Sequence, residues 1–600
     1  MDMRSLPANL SRALVLIILT AVGAGSALAQ QSSNTLPLTP GDRPGGIGSS
    51  LSSDHALLLA QEQRELFEIP PVIERPLGME EGPRIIVSEF VLSGAVDRED
   101  ESLRVSDLES ILGGHVRSQP PDGYTINQLQ EIANELSLFY RERGFIIAQA
   151  IIPAQEVQDG RINIQVLEGL LADVEVEGNR IYKASVVGRP FRDLQGQPIV
   201  QASVEQALLD VQDFPGLTVF GTFTQGDQLG STDLVVRVQE ERRLYVTPSF
   251  DNYGSEVTGD LRGLLDFQFN NLFGVADQMR GYILQTFEPA NGTYGGLNFN
   301  FPFGRNSIGL GAAANQFDVG GVANFETLGI NGTVDQADIY WDRTFANGRF
   351  FQASGRLGVA VKHAITTSDT LAVDLDEDKL SVVNLGFDFF VASKSGRGFS
   401  VGAIEVHAGI PDWLGSMDEF GNGGTSSRQG GDKTFAGGDF TKYVFNFQQL
   451  FRLSANNSLV LRVDGQWTDD MLVALEQYAI GGPQNVRAYP IAQRLVDSGG
   501  SATLEWVINA PGFADKPSIG NRTWGEIFQV SLYADYAYGE VNNPLESQEP
   551  TVDFSGYGLG LQFNVQGKFY ARFDVATPIG SRIAINGRDP QYFFRMSYTF

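Results

Sequence analysis

The chain has 600 residues, no cysteine and a formal net charge of -29. Without cysteine there is no disulfide, thiolate–metal or thiol chemistry, and the acidic balance argues against nucleic acid as a partner. The 68 glycines and 40 phenylalanines are what strands, tight turns and aromatic girdles require.

Residues 1–29 predict a secretory signal peptide. Arg4 and Arg12 are followed by an apolar run from Ala13 to Ala24 and by Ala27-Leu28-Ala29 before Gln30. The run is too short to span a bilayer, and no later stretch predicts a transmembrane helix, so any membrane insertion has to be as β-structure. Within 30–83, a Ser/Pro/Gly-rich start gives way to a predicted amphipathic helix at about 52–68. Ser53 or Asp54 caps it, and Ala56, Leu57, Leu59, Ala60, Leu66 and Phe67 are its apolar positions. A Pro-containing linker follows.

Residues 84–243 predict mixed α/β structure. A strand over 85–94 leads to a helix over 124–144, with apolar spacing at Leu129, Ile132, Leu136 and Phe139. Strands at 145–153 and 160–169 follow. A second unit starts at 172–179, continues with a helix over 203–214, and ends on strands at 218–226 and 232–240. Two consecutive segments, 84–170 and 171–243, therefore share one order: strand, helix, helix, strand, strand.

From Leu244 to Phe600 the helical period disappears and sixteen strands can be placed, separated by turns that alternate between short and long. Tight ones include Phe303-Gly304-Arg305 and Ser395-Gly396-Arg397; long ones include 411–439 and 469–499. The stretch 511–525 breaks this alternation. The last strand carries Tyr592, Phe594, Met596, Tyr598 and Phe600 on one face, with Phe600 as an expected C-terminal assembly signal. An even strand number, with short turns at one rim and long loops at the other, describes an outer-membrane barrel whose chain ends face the periplasm. The fold class read from the chain is mainly β: a 16-stranded antiparallel transmembrane barrel (244–600) preceded by two small α+β domains and an N-terminal helix.

Catalysis finds no support. His55, His115, His363 and His407 are scattered, with no metal-binding spacing, nucleophile elbow or phosphate loop. No cofactor or metal is expected. Asp374-Leu375-Asp376-Glu377-Asp378 reads as a solvated acidic outer loop, with a divalent-cation contact near lipopolysaccharide as the alternative.

Several motifs, in order, carry a resemblance. Ile152-Pro153-Ala154-Gln155-Glu156-Val157-Gln158-Asp159-Gly160-Arg161 is followed by Glu168-Gly169. Asp251-Asn252-Tyr253-Gly254 stands at the start of the barrel, and Gly481-Gly482-Pro483-Gln484-Asn485-Val486-Arg487-Ala488-Tyr489 lies in the loop 469–499. Together they resemble the outer-membrane transporters of two-partner secretion, the TpsB family of haemolysin and filamentous-haemagglutinin exporters. The resemblance implies that the two soluble units are POTRA domains. Pro153, Gln155, Asp159, Gly160, Glu168 and Gly169 would be the first-POTRA signature, and Asp251, Asn252 and Gly254 the barrel-start motif. It also implies a plug at 52–68 and a loop folded into the lumen, where Arg487 pairs with a strand carboxylate. Asp535 matches that position, and Glu505 is the alternative. Alternation puts Tyr533, Asp535 and Ala537 on one face, which has to be the lumen, since a charge facing lipid is costly. Two departures are Ala488, where the family usually has Gly, and Ala537, likewise.

The function implied is export of a large β-rich exoprotein, a TpsA-like client, from periplasm to cell surface. The client would dock on exposed POTRA edge strands by β-augmentation, with 161–167 and 232–239 as candidates. Outer-membrane lipid, lipopolysaccharide and the barrel assembly machinery are the other expected partners. The alternatives are an insertase for other barrels and a passive pore.

Overall fold

The computed structural model describes residue 67 and residues 83–255, 257–287, 292–320 and 329–600. The signal peptide and most of the predicted plug helix lie outside the described residues. Phe67, expected near that helix's end, is instead extended, in an isolated parallel bridge with Gly221. The chain divides into two units, Arg64–Arg242 and Arg243–Phe600.

The first unit holds two small sheets. Strand β1 (Glu89–Ser93), helices α1 (Val105–Arg117) and α2 (Ile126–Glu142), and strands β2 (Gln149–Ile151) and β3 (Arg161–Leu167) build the first. Helix α2 starts where Thr125 and Gln128 cap each other's backbone N–H groups, the reciprocal arrangement that satisfies two orphan donors. Its Leu129, Ile132, Leu136 and Tyr140 are buried against Ile162, Ile164 and Val166 of β3. The second α/β set follows with β4 (Leu170–Glu177), α3 (Ala184–Val187), a 3-10 turn (Arg189–Leu194), α4 (Gln201–Gln212), β5 (Leu217–Gln225) and β6 (Ser231–Glu241). Its first helix is only one turn long because Gly188-Arg189-Pro190 interrupts it, and proline removes an N–H that a longer helix would need.

The sheet orders are β1–β3–β2 and β4–β6–β5. This corrects the expected docking edges. Segments 161–167 and 232–239 fall in β3 and β6, the central strands. The last strand of each set pairs parallel with the first and antiparallel with the one before it; β6 is thereby filled on both sides over 232–237, whereas β3 is met by β2 only at 165–167 and by the Gln155 amide at Asn163. The outer strands of the two sheets are β1, β2, β4 and β5; β5 is bridged at Gly221 by Phe67, and β4 at Leu170 by Pro198.

The barrel strands are β7 (Leu244–Asp251), β8 (Leu261–Asn270), β9 (Gln278–Phe287), β10 (Gly292–Phe303), β11 (Asn306–Asp318), β12 (Ile330–Asn347), β13 (Phe351–Ser368), β14 (Val373–Ala392), β15 (Gly398–Gly409), β16 (Phe440–Ser454) and β17 (Asn457–Trp467). After a ribbon of β18 (Tyr478–Ile480) and β19 (Arg494–Val496), the wall resumes with β20 (Ser498–Asn509), β21 (Phe528–Glu540), β22 (Thr551–Val565), β23 (Phe569–Pro578) and β24 (Gln591–Tyr598). The sixteen wall strands form a closed antiparallel meander in which β24 meets β7. Closure leaves no backbone edge, the condition for a sheet in lipid. Ile283, Leu297, Ile339, Leu385, Ile404 and Leu504 point outward and are exposed, as a lipid belt requires. Among the described residues no helix is long and apolar enough to cross a membrane.

Two loop readings change. Asp374–Asp378 lie inside strand β14, with Asp376 and Asp378 buried. A charged run reads as solvated loop in sequence, whereas a polar lumen lets alternate carboxylates face inward within a strand. Asp378 accepts a hydrogen bond from the Ser427 N–H at 3.0 Å. Among the described residues no group of three His, Cys, Asp or Glu side chains is placed to hold a metal ion. The stretch 511–525 is an ordered short-side turn. A bridge between Pro517 and Thr523 and ring contacts of Phe513 with Trp524 and Phe528 hold it against the wall.

Candidate functional site

The loop between β17 and β20 folds into the barrel. Its β18–β19 ribbon ends in a tip that turns at Gly481 and Gly482, where φ is +105° and +102°, values that favour glycine. The Gly482 N–H donates to the Tyr489 carbonyl at 3.0 Å. Asn485 closes the turn from inside, its Oδ1 accepting from the Gly481 N–H at 2.8 Å and from the Val486 N–H at 2.7 Å. Val486, Ala488 and Tyr489 are fully buried.

This turn aims Arg487 at the wall. Its Nη2 and Nε donate to the two Asp535 oxygens at 2.8 and 3.0 Å, and its backbone N–H adds a third bond at 3.1 Å. The guanidinium lies 3.2 Å over the Tyr533 ring. The alternative partner also takes part: Nη1 is 3.4 Å from Glu505, which in turn holds Arg462 at 3.1 Å and Arg572 at 2.9 Å. Arg572 also pairs with Asp574 at 2.7 Å. Three guanidiniums therefore face three carboxylates. Bidentate forks of this kind are strong and geometrically specific, and a mutual set is the form in which buried charge is tolerated.

Sequence reasoning missed the surface that receives the tip. Gly556, Gly558 and Gly560 alternate along β22 and face inward. A Cβ on Gly556 would come within 3.0 Å of the Ala488 Cβ, and one on Gly558 would do so with the Tyr533 ring. The methyl that departs from the family pattern at 488 thus occupies space that Gly556 leaves. Ala537, the other departure, is fully buried with Ile480, Val486 and Tyr489. The Gly-x-Gly-x-Gly alternation at strand period was the available signal.

Two further anchors were not legible. Glu476, in the short 3-10 turn Ala474–Glu476, pairs with Lys362 of β13 at 2.7 Å and Lys442 of β16 at 2.9 Å. Arg428 pairs with the buried Asp497 and donates to the carbonyls of Leu472 at 3.0 Å and Asn542 at 2.7 Å. It thereby ties three long loops together. An isolated Arg in a Gly/Ser-rich loop gives no sequence sign of this. The described residues line a half-open space of about 780 Å³ bordered by Arg356, Lys362, Glu405, Lys442, Arg462 and Arg572.

The barrel-start motif sits at the closing seam. β24 and β7 pair in register at Arg595–Asp251, Met596–Phe250 and Ser597–Ser249, and backbone bonds extend the seam at both ends. Asp251, fully buried, accepts from Arg262 at 2.8 Å and Arg595 at 3.0 Å. Asn252 bridges onward, donating to the Tyr592 carbonyl and accepting from the Phe594 N–H, both at 2.8 Å. Gly254 is in close approach to the Gly259 carbonyl and has no room for a Cβ. Phe600 is exposed and donates its N–H to the Val246 carbonyl at 3.0 Å.

The first-POTRA signature builds local structure. The Gln155 amide pairs with both the N–H and the carbonyl of Asn163 at 2.8 Å, replacing a neighbouring strand beyond the end of β2. Asp159 and Gly160 make the turn into β3, and the Gly160 carbonyl accepts from the Ser88 N–H at 2.9 Å. Pro153 lies between β2 and this turn. Glu168 pairs with Arg98 at 2.8 Å and accepts from the Tyr140 hydroxyl at 3.4 Å, while Gly169 packs on Ile147. Burial first, and the Glu168 carboxylate second, push the Tyr140 phenol above its ordinary pKa.

The family described as haemolysin secretion/activation protein ShlB/FhaC/HecB matches residues 230–563. The chain belongs to this family. A POTRA domain of ShlB type matches residues 101–169. The haem/hemopexin transporter protein HuxB of Haemophilus influenzae strain 86-028NP is 23% identical over 520 residues, covering 84% of this chain and 86% of the relative. The outer membrane transporter CdiB of Dickeya dadantii is 23% identical, covering 61% of this chain and 63% of the relative. CdiB from Escherichia coli superposes with a TM-score of 0.68 at 17% identity, covering 96% of this chain and 99% of that structure. The chain is thus a two-partner secretion transporter of the outer membrane, with a periplasmic POTRA domain.

Proposed function

We propose that this chain secretes a large β-rich exoprotein by docking an extended client strand on a free edge of its periplasmic sheets and passing the chain through the barrel. The observation that carries the reading is the loop of residues 469–497 held inside the closed barrel by Arg487. A passive pore has no use for a loop seated so specifically in its lumen. Loop and plug would yield while the client passes. Without nucleotide in the periplasm, folding of the client outside draws it forward. Outer-membrane lipid, lipopolysaccharide and the assembly machinery that inserts the barrel complete the proposed partners. In this reading the chain's own residues bind and gate, and do no chemistry.

The test is export after deletion of residues 84–243, scored as exoprotein in medium against periplasm, with barrel folding followed by heat-modifiable gel mobility. Export should stop while the barrel still folds. Unchanged export would overturn the reading.

A second reading, insertion of other barrels, is favoured by the short β24–β7 seam. A disulfide engineered across that seam separates the two. Secretion through the lumen continues with the seam locked, whereas insertion stops.

A further inference from the structure

The four outer sheet edges are not equivalent. β2 has 3 residues and β1 has 5. β4 is broken by a register shift between Leu171 and Val174 and presents Asp173, Glu175 and Glu177; charges and irregularity of this kind blunt an edge. β5 is the longest, with 9 residues, and it alternates Leu217, Val219, Gly221 and Phe223 toward its own core.

That edge carries an occupant. Phe67 forms its parallel bridge at Gly221 and is only 5% exposed. Its ring stands edge-on to Phe223, centroids 5.6 Å apart. A Cβ on Gly221 would lie 3.1 Å from Leu208 of α4, 3.3 Å from Leu234 of β6 and 3.5 Å from the Phe67 Cβ. The glycine therefore leaves a hollow between α4 and the sheet, and a residue that precedes both α/β sets in the chain fills it.

We propose that the β5 edge with its Gly221 hollow is a docking site for an extended strand bearing an aromatic side chain, that the chain's own Phe67 is its resident occupant, and that a client strand engages this edge by displacing Phe67, the latch. This latch deepens the secretion reading and rests on it for the identity of the incoming strand. A bridge at Phe67 places main chain alongside β5, so the site takes an extended backbone. The hollow accepts one ring, so it selects strands with an aromatic residue in register with Gly221. Main-chain pairing plus a side-chain pocket is the physical basis of strand addition.

The natural absence of cysteine makes the test direct. The Cβ separation of 3.5 Å between positions 67 and 221 lies within the range of a disulfide, roughly 3.5–4.5 Å. The full-length Phe67→Cys/Gly221→Cys transporter should crosslink within one chain in the periplasm, with heat-modifiable mobility unchanged. Export should fall about tenfold or more and recover with reductant, as expected when a competing conformer is removed. In a second arm, a labelled peptide of residues 62–70 should bind detergent-solubilised Phe67→Ala transporter about tenfold tighter than the unaltered protein. The same peptide with Ala at its Phe should not. No crosslink in a folded barrel, or equal peptide binding, would overturn the latch. A crosslink with undiminished export would overturn its displacement. A disulfide between separately expressed Phe67→Cys and Gly221→Cys chains would assign the edge to a second copy instead. Failure of the unaltered chain to export would strike the secretion reading, while the crosslink and peptide arms would still report on the latch.

Discussion

Replacing Gly556 by alanine puts a methyl where the Ala488 methyl already is, with the two Cβ atoms under 3.0 Å apart, against the roughly 3.5–4.0 Å at which carbon atoms pack. Neither can swing away, because both are fixed directly to backbone. Ala488 is fully buried and its neighbour Arg487 holds the tip by three bonds to Asp535. Overpacking of this kind costs about 1–3 kcal/mol. We expect the middle of that range, about 2 kcal/mol, which shifts the balance between seated and displaced loop about 30-fold. Single-channel recording in planar bilayers reads this shift as the frequency of large-conductance openings. Gly556→Ala should raise it, and Gly556→Ala/Ala488→Gly should restore it, giving a coupling energy of similar size in a double-mutant cycle. A silent Gly556→Ala, or a double variant as leaky as the single one, would refute the seating of the tip on β22.

Other outcomes rest on the same geometry. Asp535→Asn leaves a buried guanidinium short of a partner and should destabilise the seated loop by about 3–5 kcal/mol, seen as protease cleavage within 481–493 in intact outer-membrane vesicles; Arg487→Lys alone should expose the same segment, since one ammonium cannot reproduce the fork. Arg428→Ala removes the tie to Asp497 and to the carbonyls of Leu472 and Asn542, so external protease should cut 469–478 while the Arg487 region stays protected. Gln155→Ala loses two hydrogen bonds to Asn163, worth about 1–3 kcal/mol together, and should speed hydrogen exchange at 153–163 in the full-length protein without altering the barrel's heat-modifiability.

The wall was legible because a barrel in lipid enforces a period of two, and turn chemistry marks each reversal. Arg487 and its strand carboxylate were reachable by the same alternation plus the loop motif, yet the part of Glu505 as a shared acceptor for Arg462, Arg487 and Arg572 was not. Alternation says which face a residue is on, and says nothing of which neighbours converge there from other strands. The docking edges were misread for a related reason. Chain order does not give sheet order, and the parallel return of β3 and β6 to the middle of their sheets hides in the sequence. At Asp374–Asp378 the acidic run masked a strand, because solvated loops and polar lumen walls draw on the same residues. The inward glycines of β22 were visible as a pattern but had no partner until the tip of the long loop was seen against them.

The six charges around Arg487 sum to zero: Arg462, Arg487 and Arg572 against Glu505, Asp535 and Asp574. That balance holds while the loop is seated; when the loop yields, Arg487 leaves with it and Arg462 and Arg572 face Glu505, Asp535 and Asp574, one net negative charge on the wall at this level. The same balance makes the set a built-in electrometer. Neutralising any one member leaves an uncompensated unit charge in a confined aqueous conduit, where low-dielectric walls amplify its field. Permeability to small cations and anions would then diverge in the direction set by the sign of the charge that remains, so reversal potentials in a salt gradient would identify which member had been lost.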